Sequence, residues 1–186
     1  MAYAAPAQLQ DYLGIDTTED DALLVAMLTR AQAAVDGMTQ RTFEAAADTV
    51  RYFDWRAIGA RMLYLDADLC AITSVVNGDG ITVGAGSYTT EPRNVTPWHA
   101  LLLRATADVA WDGITGDIAV TGKWAYSATA PADVVQATIR LAAWLYRQKD
   151  NTGNDQPVIA GNATILPSRI PSDVADLLRP YTRVLV

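Results

Sequence analysis

The sequence predicts an α+β fold: a mainly helical core of two long amphipathic helices plus short terminal helices, with a small antiparallel β element inserted into it. Two observations carry this expectation. Apolar residues recur at three- and four-residue spacing in two long stretches, near residues 19–40 and from Pro131 to about Lys149, before Gly153 releases the chain. Between them, from about residue 49 to 124, short β-branched and aromatic runs alternate with glycine-containing turns. The expected organisation is one domain over 1–186, with the β-rich insertion at about 49–124 and a distinct C-terminal segment at about 169–186.

The chain opens on a short helical segment, Ala7 to Leu13, closed by Gly14, because glycine accepts the left-handed cap conformation. Thr17 and Thr18 precede Glu19, Asp20 and Asp21, which reads as a hydroxyl N-cap followed by acids over the positive end of a helix dipole. The helix from about Glu19 to Gln40 puts Leu23, Leu24, Met27, Leu28, Ala31, Ala34, Val35 and Met38 on one face. In the middle, Val50-Arg51-Tyr52, Met62 to Leu65, Ile72 to Val76, Trp98 to Arg104 and Asp117 to Trp124 read as strands. Asn77-Gly78-Asp79-Gly80, Gly84-Ala85-Gly86 and Trp111-Asp112-Gly113 read as turns. Pro131 opens the second long helix, since its missing N–H costs nothing in the first turn. Val134, Val135, Thr138, Leu141, Ala142 and Leu145 form that helix's stripe, which Ile139, Trp144 and Tyr146 widen beyond what one partner helix would cover. Arg147 and Lys149 suit its negative end. Asn151 to Ser168 reads as a polar connection, expected to be mobile. A last short helix follows Pro171 and stops at Pro180.

Composition narrows the function classes. A chain of 186 residues that is 51% apolar buries roughly two thirds of its unfolded surface, so it needs no metal or disulfide staple. A formal charge of −7 argues against a dedicated nucleic-acid binder, which needs clustered Lys and Arg to displace counterions from phosphates. Twelve of the fourteen basic residues are Arg, whose planar fork suits protein contacts. Cys70 is the single cysteine, so no intrachain disulfide forms and cytoplasmic synthesis is expected. Met1 to Leu13 lacks a secretory pattern, and no apolar run approaches the roughly 18 residues of a membrane-spanning helix. No membrane partner is expected.

No catalytic, cofactor-binding or metal-binding residue is expected. His99 is the only histidine and lies in the apolar run Trp98-His99-Ala100-Leu101, with no nucleophile and acid grouped beside it in sequence. One His and one Cys cannot supply a zinc site, and Asp16, Glu19, Asp20 and Asp21 lack the spacing of a calcium loop. Asp66 and Asp68 could flank a cation but suit a solvated strand edge. The glycine clusters do not extend to a dinucleotide or phosphate-binding fingerprint. One candidate binding element remains, the C-terminal segment: Val174, Leu177, Leu178, Arg179, Tyr181, Arg183, Val184 and Leu185. Beyond Pro167 three Arg stand against two Asp, whereas the first forty residues hold six acids and only Arg30. Such opposed ends can steer packing. The surface carries no long apolar strip beyond the helix arcs, so the purified chain is expected to be monomeric or weakly associated.

Three stretches carry a family resemblance. Asp11-Tyr12-Leu13-Gly14-Ile15-Asp16 leads through an acidic turn to Leu23–Gln40 and Arg41-Thr42-Phe43. Asp117-Ile118-Ala119-Val120-Thr121-Gly122-Lys123-Trp124 leads to Pro131-Ala132-Asp133-Val134 and ends in Trp144-Leu145-Tyr146-Arg147. Ile170-Pro171-Ser172-Asp173-Val174 runs through Leu177-Leu178-Arg179-Pro180-Tyr181. In this order the chain resembles the head–tail connector, or adaptor, proteins of long-tailed bacteriophages and related gene-transfer particles; Phe43 to Gly116 stays unaligned. The resemblance implies a structural, non-enzymatic virion protein, made in the host cytoplasm. It implies a ring, dodecameric in the particle, that sits beneath the portal protein, passes genomic DNA without sequence-specific binding, and receives a stopper or tail-completion protein. The C-terminal segment is then the expected grip on the portal. The alternatives are another head–tail joining protein (a stopper or tail-completion ring), or a cytoplasmic binding module.

Overall fold

Proline at the first helical position opens helix α1 (Pro6–Leu13) in the computed structural model of the chain, which describes residues 3–148, 158–160, 163–165 and 170–183. The Gln8 side chain accepts the Ala5 N–H at 2.8 Å, and Gly14 ends the helix at φ 69°, its N–H donating to the Asp11 carbonyl. Helix α2 (Asp21–Thr39) follows and buries Leu24, Met27, Leu28, Ala31 and Val35, five of the eight residues of the expected stripe, with Leu23, Ala34 and Met38 half-buried. Its cap differs from expectation. Asp20, not a threonine, holds the N-cap position, and its carboxylate makes no capping bond but accepts the Tyr146 hydroxyl.

Helix α3 (Ala132–Arg147) starts after Pro131 and buries Val134, Ala137, Thr138, Ile139, Leu141, Ala142 and Ala143. Its wide arc is covered within the chain, because α1, α2 and helix α4 (Ser172–Leu178) all pack against it. Each leucine buried here is worth roughly 1.5–3 kcal/mol of transfer free energy. These helices belong to one compact unit, residues 1–40 with 131–186. The Asn151 to Ser168 connection lies mostly outside the described residues; inside it, two short strands, Val158–Ala160 and Ala163–Ile165, pair antiparallel.

Residues 41–130 form the second unit. Its strands are β1 (Thr49–Phe53), β2 (Ile58–Gly59), β3 (Met62–Leu69), β4 (Ala71–Val76), β5 (Tyr88–Glu91), β6 (Trp98–Leu103) and β7 (Ile118–Lys123). They make two antiparallel sheets, of order β1-β7-β4 and β2-β3-β6-β5. Alternation along each strand turns one set of side chains to a shared core. Phe53, Val75, Ile118 and Val120 of the first sheet meet Leu63, Leu65, Leu69, Leu101 and Leu103 of the second. Trp111 and Trp124 join that core, each with its indole N–H satisfied at 3.0 Å by a carbonyl, of Arg61 and Thr49 respectively.

The α+β expectation holds, but a mainly helical core with a small inserted β element does not. The chain is 36% helical and 25% strand, and the described residues hold four α-helices and, in the β unit, two antiparallel sheets. The β part has a core of its own. Its size was hidden because no strand contributes more than three buried core residues and several contribute one, and because β5, Tyr-Thr-Thr-Glu, and the two-residue β2 carry almost no apolar signal.

Candidate interaction surfaces

The C-terminal segment is built from Pro171 outward. Pro171 takes the N-cap of α4, and its carbonyl accepts the N–H groups of Val174 and Ala175. Val174 and Leu178 are fully buried, inside the core of the helical unit. Arg140 of α3 pairs with Asp173, the Tyr181 hydroxyl donates to the Asp133 carboxylate at 3.3 Å, and the Arg183 N–H donates to the Thr39 carbonyl at 2.9 Å. The remaining surface of the segment is Ala175, Asp176, Arg179, Pro180 and Thr182, all exposed, with Leu177, Tyr181 and Arg183 half-buried. Val184 and Leu185 lie outside the described residues. Of the eight interface candidates, the structure thus brings Leu177, Arg179, Tyr181 and Arg183 to the surface and places Val174 and Leu178 beneath it. A cleft of about 160 Å³ opens where α1, α3 and the start of α4 meet, lined by Tyr12, Trp144, Arg147 and neighbours.

The β unit shows what sequence reasoning missed. Val50, Tyr52, Trp55, Tyr64 and Ile114 are large apolar residues left exposed, so the apolar surface is not confined to helix arcs. Pattern alone marks Val50 and Tyr52 as strand residues, and only the packed sheet tells which face is open. Three arginines of this unit are each tied to an acid and an aromatic ring. Arg51 pairs with Asp66 at 3.0 Å and lies over the Trp124 ring; Arg41 pairs with the buried Asp68 and lies over Tyr126; Arg56 pairs with Asp54 and lies over Trp55. Asp66 and Asp68 therefore hold arginines, not a shared cation.

His99 is exposed on β6. Burial pushes the Cys70 thiol up, against the pull of Lys123, so it stays a thiol at neutral pH. Among the described residues no group of three His, Cys, Asp or Glu is placed to hold a metal, and no helix is long and apolar enough to cross a membrane. A second cleft, about 270 Å³, lies between the loops at Ile81–Ser87 and Thr106–Val109; its only acid is Asp108.

No protein-family model matches the sequence, and no curated protein matches it. Solved structures do match. A chain in the neck of an empty GTA particle, computed with C6 symmetry, aligns at TM-score 0.62 and 22% identity, over 97% of this chain and 90% of that one. A chain in the neck of the native GTA particle, computed with C12 symmetry, aligns at 0.60 and 22%, over 97% and 88%. A chain in the virion of the native gene transfer agent particle aligns at 0.58 and 20%, over 97% and 90%. At these identities what is shared is the fold, and it is shared over nearly the whole chain.

Proposed function

We propose that this chain is a structural, non-enzymatic subunit of the neck of a phage-like particle, and within the neck the ring-forming adaptor beneath the portal. One observation carries the reading: a fold shared over 97% of this chain with a chain from a particle neck computed with C12 symmetry. A ring of twelve copies extends the DNA channel below the portal and offers its far side to a stopper or tail-completion protein. The charge of −7 suits that channel, because a wall that attracted phosphate would hold the DNA it must release. The C-terminal segment is the grip on the portal. Its exposed and half-buried residues, Leu177, Arg179, Tyr181 and Arg183, present two cations and two apolar groups on an otherwise acidic chain, while buried Val174 and Leu178 hold that surface in place. The protein is made in the host cytoplasm and resides in the virion.

A second reading, another ring of the same neck, gains support from the strand content, which exceeds what an adaptor of mainly helical build would carry. Mixing the purified chain with portal rings and imaging by negative stain separates the two. An adaptor adds a twelvefold ring to the portal directly. A stopper leaves bare portals bare and binds only once an adaptor is in place. Binding to neither sinks both readings. Particle assembly unchanged in His99→Gln is expected of a structural subunit.

A further inference from the structure

The exposed apolar residues on one side of the β unit have no part in the portal grip. Val50 and Tyr52 stand on the same face of β1, since strand residues two apart share a face. Their ladder partners on β7 are Thr121 and Ala119, and these pair in turn with Ser74 and Val76 of β4. Between its ends this outer face is uncharged; at one end Lys123 of β7 stands opposite Asp48, whose carboxylate accepts the Thr73 hydroxyl of β4, and at the other Asp117 precedes β7. At the other end Phe53 pairs with Ile118, so the chain leaving β1 and the chain entering β7 run out together. There the Gly113 backbone is packed on that of Trp55, close enough that a Cβ on Gly113 would lie 2.6 Å from the Trp55 nitrogen. Tyr52, Trp55 and Ile114 thus gather at one end of the ladder, 65%, 58% and 87% exposed.

The strand itself is open. β7 pairs with β1 on one side, and no strand among the described residues pairs with the other. Edges are ordinarily guarded by lysine, proline or a bulge. β1 has none of these; its one charge, Arg51, lies on the inner face with Phe53, where Asp66 and Trp124 engage it, so the outer face and the edge amides stay open.

We infer that this face and edge form the contact between neighbouring copies of the chain. The inference rests on the ring reading above. Charge favours a second copy as the occupant: two chains of −7 repel wherever acids face acids, so copies meet at least cost where one of the two surfaces is mostly apolar, whereas a basic partner would be drawn to the acidic surface instead. An unguarded edge takes an extended strand, and every copy brings strands. The shared fold comes from necks computed with C6 and C12 symmetry, and in a closed ring each copy turns one such face to a different surface of the next. Magnitude sets the strength. Val50, Tyr52, Trp55 and Ile114 expose on the order of 400–500 Å² of largely apolar surface, about half of the roughly 800 Å² per partner of a stable interface. Free copies therefore associate weakly, and the ring closes where a template raises their effective concentration.

The test compares the full chain with Tyr52→Glu and Ile114→Asp, both at exposed positions, by sedimentation at rising concentration and by imaging on portal rings. Both variants are expected to melt like the wild type, to self-associate at least tenfold more weakly, and to bind portals as single copies without closing a ring. Variants that associate and close as the wild type does overturn the inference. So do variants that lose portal binding but keep self-association, and so does a wild-type chain that stays monomeric to millimolar concentration and forms no ring on a portal. Should the charges unfold the chain, hydrogen exchange of the wild-type β1 amides decides: slowing with concentration supports the contact, and no change overturns it. A wild-type chain that self-associates through β1 yet ignores portals counts against the adaptor reading alone.

Discussion

Asn77 is 2% exposed, and all its polar groups are used. Its N–H donates to the Ile81 carbonyl, its carbonyl accepts the Gly80 N–H, its Oδ1 accepts the Asp112 N–H at 2.9 Å, and its Nδ2 donates to the Ala110 carbonyl at 3.0 Å. One side chain thereby ties the turn after β4 to the loop before β7. Gly78 completes the join: a Cβ there would lie 2.1 Å from the Asp112 carbonyl oxygen. Asn77→Leu is expected to cost about 1–3 kcal/mol for each buried backbone group left unpaired, read as a lower urea midpoint; unchanged stability would show the loops hold without it. Two acids are shifted in opposite directions. Burial pushes the Asp36 carboxyl up, and the Tyr3 hydroxyl, 2.6 Å away, pulls it partly back. The folded chain holds that proton more tightly than the unfolded one, so this contribution to stability is full below the ordinary Asp value and is lost as pH rises through the folded pKa. Tyr3→Phe should move the Asp36 titration higher still in carboxyl-detected NMR; a lower midpoint would refute the assignment. Asp112 is held down by Thr115 and the Ile114 N–H. Its contribution is present above the ordinary value and is lost as pH falls through the depressed one.

Among elements, α4 separates support from contact within seven residues. Leu178 is buried in the helical unit and Arg179, one residue on, is exposed. Leu178→Ala is expected to cost about 2–5 kcal/mol, the usual price of a buried leucine cavity. Arg179→Glu is expected to leave the melting temperature nearly unchanged, as surface substitutions do, while weakening capture by portal rings at least tenfold. The reverse pattern, a destabilised Arg179→Glu that still binds, would remove α4 from the portal grip. The Arg140–Asp173 pair fastens α4 to α3, but both side chains are about 39% exposed, so solvent and salt screening limit it to about 1 kcal/mol or less.

At the scale of the molecule, residues 41–130 close on themselves. The Tyr126 N–H donates to the Thr42 carbonyl at 2.8 Å, Ser127 bonds the Phe43 carbonyl, and Glu44 bridges Ser127. A unit whose ends are joined and whose core is its own should fold alone, so a fragment of residues 41–130 is expected to melt cooperatively with dispersed amide resonances. A fragment without a melting transition would show that the β core depends on the rest of the chain. The sequence by itself determined what local geometry dictates. The helical period marked α2 to within two residues and the start of α3, Gly14 and Pro131 marked helix ends, and five of the seven strands of the β unit were visible as runs. Tertiary structure decided what depends on residues arriving from far along the chain. The N-cap of α2 went to Asp20, whose carboxylate meets Tyr146 of α3. The small insertion became a two-sheet unit because β1 pairs with β7 and β3 with β6. The C-terminal residues divided into core and surface only once α3 covered Val174 and Leu178, and Tyr52 was left outside because its strand turned Phe53 inward. Periodicity is a property of neighbours in the chain, whereas burial is a property of neighbours in space.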